Sequence, residues 1–435
     1  MKYKYLIVIF LLFQTISSQS QNMGDSKIIY SEILSEEREI KVVLPTDYSK
    51  EKKYPVIYIT DANYNLEIVS LYLTQLANSN SIPKTILVGI TQKNRGNELD
   101  VFWSKNGVRF KDFIFNEVIT FIDKEYSTSG FNTIIGHSDG AEFNHLLMIE
   151  KNNPFRGFIN VSENLNNDVS NKILDFFRTY KNEKLYYFIA SAKYDSPDRI
   201  NAGGLINSKY SESKNAKIVF ENKSYRADHQ NVLSKSLVDG ISFVFQDYRN
   251  LDTYKNFKDY TENYKNNIEN YYGFKPEENE NDIDYFFGKI LDNKDLEMYD
   301  YIIKYCASNN IFEILPYDRA WQYFYMDEHL KSIEYWNKSI DNGNKTSPRA
   351  FYFNFENAID SYLVLKNPKG AIEFLEKCKT VFPQYELSFS YFIAKTALEN
   401  GVEKRKGRKN LKYCVKNYTE NKYFKIEDLH KLMKK

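Results

Sequence analysis

Gly136-His137-Ser138-Asp139-Gly140 is the stretch of this chain whose residue types and spacing point most directly to covalent chemistry. A serine with glycines two positions away on either side reads as a nucleophile elbow when a strand leads into it and a helix leads out. The glycines matter because side chains on either flank of so strained a turn would clash. The turn lifts the Ser138 hydroxyl above a sheet edge, and the N-terminus of the following helix favours developing negative charge. A serine nucleophile needs a general base, and histidine is the side chain that serves near neutral pH without large tuning. The chain has five: His137, His145, His229, His329 and His430. His137 adjoins the serine and leaves the elbow in another direction, while His145 lies two turns down the following helix. His329 and His430 fall in the helical C-terminal part. His229 sits in the loop Ala227-Asp228-His229-Gln230, after the last strand of the region and before its last helix, and is the expected base.

The acid that orients the base is expected after the strand Lys184 to Ala190, in Ser191-Ala192-Lys193-Tyr194-Asp195-Ser196-Pro197-Asp198. Asp195 is nearer the strand end and is the first choice. Asp198 follows Pro197 and reads as a helix start. Asp228, or a Ser/His dyad without an acid, stands as a further alternative. An oxyanion needs two backbone N–H donors. One is expected from Asp139 and the other from Asp61-Ala62-Asn63-Tyr64, with Asn63 preferred and Ala62 the alternative. Asp61-x-Asn63-x-Asn65-x-Glu67 has the opening of a calcium loop but lacks Gly at the sixth position and Glu at the twelfth, where Tyr72 stands. No CxxC or Cys/His cluster is present, so neither a metal nor a cofactor is expected.

These residues need a frame that brings positions 63, 138, 195 and 229 together. Between Lys27 and Tyr248 short apolar runs of strand length alternate with helical stretches. Ile28 to Leu34 and Arg38 to Leu44 read as a strand pair. Pro55 to Thr60, Thr85 to Ile90, Thr133 to Ile135, Gly157 to Val161, Lys184 to Ala190 and Lys217 to Phe220 follow as strands. The expected helices are Leu66 to Leu76, Phe110 to Tyr126, Ala141 to Lys151, Asn171 to Tyr180 and Val232 to Phe245. Such alternation predicts an α/β domain over 21–248, a mainly parallel sheet with helices on both faces.

With these motifs in order, the chain resembles a known group. Ser31 to Leu44, Tyr54 to Asp61, Val88-Gly89-Ile90 with Arg95 and Asp100, Phe110 to Tyr126, and Ile135 to Gly140 look like the family of exported esterases within the α/β-hydrolases. That family includes siderophore esterases of the enterochelin type, with mycolyltransferases as more distant relatives. The resemblance covers residues 28–247. It implies a serine esterase with a small-molecule ester substrate, acting through Ser138, His229 and Asp195 with the oxyanion hole at Asn63 and Asp139. Two departures stand out. Relatives carry an apolar residue after the nucleophile and Gly-Gly beyond it, whereas this chain has Asp139-Gly140-Ala141. Where relatives have an aromatic-rich segment after the next strand, this chain has Ser162-Glu163-Asn164-Leu165. An acidic group beside the oxyanion would oppose catalysis if it faced the site and would favour the helix start if it faced away. Together with the unusual pocket segment it motivates a competing reading: an inactive hydrolase-fold binding protein whose helical repeats recruit a partner.

Beyond Tyr248 the alternation stops. A polar stretch over 249–281 reads as a linker or solvated helix, and a domain of 21–250 is expected to fold alone. Residues 282–435 read as an all-α helical-repeat domain. Ala320…Tyr323…Ser332…Trp336…Ser339 matches Ala358…Tyr362…Ala371…Leu375…Cys378, followed by Pro383, a pattern that resembles tetratricopeptide repeats of ~34 residues. Cys306, Ser339, Cys378 and Cys414 recur at similar intervals, so the three cysteines are expected as buried small residues rather than disulfide partners. Such a stack offers a surface to a partner protein or packs against the catalytic domain.

The chain's 435 residues allow two or three domains. Its 59 basic and 58 acidic residues give +1, which supplies no electrostatic reason to expect a nucleic-acid partner. Residues 401–435 are locally basic, with 12 Lys/Arg against 4 Asp/Glu, a pattern usual for solvated helix faces. Residues 1–20, with Lys2 and Lys4, the apolar run Tyr5 to Phe13 and Ser18-Gln19-Ser20, read as a signal peptide. The apolar run is about half the ~20 residues that a membrane span needs, so an exported chain, periplasmic or secreted and without a membrane span, is expected.

Overall fold

The computed structural model describes residues 24–100, 104–213, 215–311, 314–341 and 347–435. The expected signal peptide lies outside the described residues. Two compact units divide the chain: one runs to Thr253 and adds Asn263–Glu277, and the other takes Tyr254–Glu262 with Glu278–Lys435.

The first unit is built on an eight-stranded sheet. Its strands are β1 (Asp25–Ser31), β2 (Glu36–Val43), β3 (Tyr54–Ile59), β4 (Ile86–Ile90), β5 (Thr128–His137), β6 (Phe155–Val161), β7 (Leu185–Ala192) and β8 (Ile218–Tyr225). They lie in the order β1-β2-β4-β3-β5-β6-β7-β8. The β1–β2 hairpin is antiparallel and β2 meets β4 antiparallel, whereas every later pairing is parallel. All eight expected strands are present, with β5 and β8 longer than their apolar cores suggest. Strands β3, β4 and β7 are buried along their whole length, as continuous apolar runs in a doubly covered sheet must be.

Helices α1 (Ala62–Asn78), α2 (Arg95–Glu98), α3 (Lys105–Phe113), α4 (Ile119–Glu125), α5 (Asp139–Ile149), α6 (Asn167–Thr179), α7 (Pro197–Ser213) and α8 (Val232–Val244) connect the strands. Helix α1 packs on α8, and α8 lies on β6 and β7. Helices α3, α5, α6 and α7 are neighbours in turn on the opposite face, where Phe110, Phe143, Phe158, Phe177 and Tyr187 share one core. A π-helical turn, Ile114–Val118, joins α3 to α4, where the sequence predicts uninterrupted α-helix. There Glu117 accepts hydrogen bonds from the Ser31 hydroxyl and the Ile33 N–H, pinning the helix to the end of β1.

The stretch 249–281 contains more structure than a linker. Helix α9 (Phe257–Tyr272) spaces Phe257, Tyr260, Tyr264, Ile268 and Tyr272 three or four residues apart, and all five are buried amid Asn, Lys and Glu. Tyr272 belongs to the first unit. Its ring lies 4.9 Å from Phe131, 6.0 Å from Tyr186 and 5.4 Å from Phe245, and its hydroxyl donates to the Val244 carbonyl at 3.1 Å. Gly273 has φ +76°, and a Cβ there would collide with the Ser129 carbonyl. That close approach requires glycine.

Among its described residues, unit two has helices and no strands: besides the start of α9 it holds α10 (Glu280–Asn293), α11 (Leu296–Ser308), α12 (Pro316–Tyr325), α13 (His329–Asp341), α14 (Pro348–Asn354), α15 (Glu356–Val364), α16 (Pro368–Val381), α17 (Glu386–Glu399), α18 (Lys404–Lys416) and α19 (Ile426–Leu432). Successive helices pack as pairs, α12 on α13, α15 on α16 and α17 on α18. Trp336, Phe351, Phe355, Leu375 and Phe389 form their common core. Cys306, Cys378 and Cys414 are free thiols, fully buried like Ser339, each between packed helices.

Candidate active site

Strand β5 runs straight into the elbow, and Ser138 stands in the turn with φ 59° and ψ −124°, a conformation rarely taken by a residue with a side chain. The Ser138 N–H donates to the Val161 carbonyl of the neighbouring strand at 2.9 Å, and the Ser138 carbonyl accepts from the Ala141 N–H at 2.9 Å. Both glycines are required by contact. A Cβ on Gly136 would run into the Gly140 carbonyl, and one on Gly140 would sit 2.5 Å from the Thr60 hydroxyl. The end of β3 therefore abuts the elbow.

Parallel strands that all end on one side place their following loops along a single edge. The loop after β8 brings His229 to the serine, and Ser138 Oγ donates to His229 Nε2 at 3.1 Å. On the other side of the ring, His229 Nδ1 donates to Asp195 Oδ2 at 2.9 Å. Asp195 comes from the loop after β7 and is 7% exposed at its side chain, against 28% for His229. Its second oxygen accepts from the Ser196 N–H at 2.8 Å. Burial pulls the Asp195 carboxyl up, but hydrogen bonds from Ser162, His229 and the Ser196 N–H outweigh it and hold the group below the usual Asp value. Ser138, His229 and Asp195 thus form one continuous hydrogen-bonded chain.

The other carboxylates considered lie elsewhere in the same loops. Asp198 is in the first turn of α7, and Asp228 accepts from the Gln230 and Asn231 N–H groups, shaping the turn that presents His229. His145 is buried on α5, in contact with the Tyr187 hydroxyl and 3.3 Å from the buried Glu163, and burial pushes it down to about 3. His329 contacts Ser361 in the helical unit, and His430 lies on α19.

Three neighbours have parts that the sequence does not assign to them, although Arg95 is among the residues that carry the resemblance. Ser162, at the end of β6, donates its hydroxyl to Asp195 Oδ2 and lies 2.9 Å from His229 Nδ1. Its only signal is position, because β6 runs between β5, which leads into Ser138, and β7, which leads toward Asp195. His137 Nε2 donates to the His229 main-chain carbonyl at 2.8 Å, with the two rings 4.8 Å apart. Since a carbonyl can only accept, His137 carries its proton on Nε2. Burial and the adjacent His229 hold it below the usual His range. Arg95, the third, binds Asp61 and Asp139 together.

The expected oxyanion donors sit at two helix starts. Asp139 opens α5, and Ala62 and Asn63 open α1, with Asp61 preceding them at φ 56°. First-turn N–H groups have no acceptor within their own helix and are free to bind an anion. Residues 62–78 are helical, which rules out a calcium loop there. Asp139 does not stand beside the serine as a lone charge, because its carboxylate is paired with Arg95.

Residues 31–163 match the family described as "Putative esterase". YjcH of Bacillus subtilis (strain 168), an uncharacterized protein, is 31% identical over 141 residues, which are 31% of this chain and 58% of that protein. The chain thus spans less than two thirds of that relative. Among solved structures, an IroE-like serine hydrolase from Shewanella oneidensis aligns with a TM-score of 0.53 at 21% identity, covering 64% of this chain and 98% of the other. An uncharacterised protein from Capnocytophaga ochracea DSM 7271 aligns with a TM-score of 0.58 at 15% identity, covering 73% and 93%. These two likenesses are of fold. Residues 31–163 carry the match to an esterase family, within a unit that has a hydrolase fold.

Proposed function

We propose that the first unit is a serine carboxylic-ester hydrolase. The observation that carries this reading is the unbroken path from Ser138 Oγ through the His229 ring to Asp195 Oδ2. In the proposed reaction, His229 Nε2 takes the Ser138 proton as Oγ bonds to the ester carbonyl carbon. The resulting oxyanion is met by the Asp139 N–H and by a first-turn N–H of α1, from Asn63 or Ala62. Collapse expels the alkoxide, protonated by His229, and leaves an acyl-serine. Water then repeats the sequence, with His229 accepting its proton and returning it to Ser138. Asp195 holds the ring in the tautomer that presents a bare Nε2 to the serine.

Activity on a short-chain aryl ester and covalent labelling of Ser138 by a fluorophosphonate test this reading. S138A is expected to lose at least ~10³-fold in kcat and all labelling. Unchanged turnover in S138A would overturn it. The competing reading, a hydrolase fold without activity, drew its motive from Asp139 and from the segment Ser162 to Leu165; Asp139 is paired with Arg95, and labelling at Ser138 would dismiss this reading. Export is proposed on residues 1–20 alone, and N-terminal sequencing of the mature chain from a fractionated culture checks it.

A further inference from the structure

Two backbone donors on different loops can meet one oxygen only if those loops keep a fixed separation, and Arg95 spans them. Its Nε lies 2.8 Å from Asp61 Oδ1 and its Nη2 3.0 Å from Asp61 Oδ2, a two-pronged pair, while Nη1 binds Asp139 Oδ2. Asp61 immediately precedes Ala62 and Asn63, and Asp139 immediately follows the nucleophile. Asp61 is itself held, since its N–H donates to the Gln92 side chain at 2.9 Å. Arg95 is anchored from below as well. It opens α2, whose last residue, Glu98, makes a two-pronged pair with Arg38, both bonds 2.8 Å long and the arginine 1% exposed. The hydrolase sheet thereby fixes α2, α2 presents Arg95, and Arg95 ties the end of β3 to the elbow.

The same contact settles the charge at the site. A carboxylate on the residue that supplies an oxyanion donor repels the negative charge that develops there, and the repulsion strengthens as water is excluded. The guanidinium opposes that repulsion at its source.

We propose that Arg95 is a positioning residue for the oxyanion hole: it locks the two donor segments together and neutralises Asp139. The inference rests on the esterase reading above. It predicts that the cost of losing Arg95 depends on whether Asp139 is charged. In the full chain, with kcat on p-nitrophenyl acetate expressed per serine titrated by fluorophosphonate, R95Q is expected to fall about 30-fold while KM stays within threefold. R95K, which keeps the charge but not the fork, falls in between. R95Q/D139N is expected to be at least threefold faster than R95Q, because the unopposed charge is gone. If R95Q does not fold, R95K made with and without D139N carries the same comparison, with a smaller cost expected when Asp139 is neutral. A variant series in which R95Q turns over as wild type does, or in which the cost of losing Arg95 is the same in both backgrounds, overturns the inference while leaving the esterase reading intact. A wild-type chain that neither labels at Ser138 nor hydrolyses esters removes that reading, and this inference with it.

Discussion

At the scale of single residues, the Ser138–His229–Asp195 chain is held by groups outside it. Ser162 supplies a hydroxyl to the same Asp195 oxygen that holds His229, so that oxygen serves two donors at once. Hydrogen bonds to a charged acceptor are worth about 1.5–3 kcal/mol. S162A should therefore lower kcat by roughly tenfold, since His229 still holds Asp195 in part. The pH profile gives a sharper test. Asp195 must be ionised to work, and removing a donor from its ionised form raises its pKa. The acid limb that Asp195 contributes should move toward higher pH in S162A and stay in place for a substitution that loosens the loop without touching Asp195. His137 holds the other partner through the His229 carbonyl rather than its ring, so on the proposed mechanism it leaves the ring nitrogens to Ser138 and Asp195.

At the scale of elements, helix α5 is buried over most of its length, including Phe143, His145, Leu146 and Met148, because it lies on β5 and β6 between α3 and α6. Glu142, one turn in, accepts from the Asn164 N–H, yet burial pushes it up to about 6. Its folded pKa lies above the unfolded value near 4.5, so the folded state holds the proton longer and loses stability as pH rises from about 4.5 to about 6. Above that range the cost is constant at about 2 kcal/mol. E142Q keeps the acceptor and cannot ionise. Its Tm should exceed wild type by about 5 °C at pH 8 and match it at pH 4.5. An equal difference at both pH values would show that ionisation of Glu142 costs the fold nothing.

At the scale of the whole molecule, the first unit does not end where the strand–helix alternation ends. A fragment of 24–250 lacks Tyr272, which is fully buried against Phe131, Tyr186 and Phe245, and lacks the backbone it offers to the Ser129 hydroxyl. Removing so large a buried aromatic costs about 3–5 kcal/mol, enough to leave many domains only marginally stable. A fragment of 24–277 is expected to melt cooperatively and keep kcat on a small ester within tenfold of the full chain. The 24–250 fragment should melt at least about 8 °C lower or aggregate. Equal melting of the two would show that 263–277 contributes nothing to the unit.

Much of this protein was legible in its residues because the governing physics is local. The eight strands follow from apolar runs of the right length, the elbow from two glycines around a serine, and His229 from being the one histidine placed in a loop after a strand. Asp195 followed from lying just past a strand end. What the tertiary structure alone decided involves partners far apart in the chain. Ser162 meets Asp195 and His229 only because β6 lies between β5 and β7. Arg95 reaches Asp61 and Asp139 across 34 and 44 positions, a pairing that spacing cannot reveal. Helix α9 carries its apolar stripe in a stretch so rich in Asn, Lys and Glu that composition masks it, and burial of Tyr272 needs a pocket made by three separate segments. Local pattern selects strands, turns and caps, whereas the environment of a charge or a ring is set by whatever the folded chain places beside it.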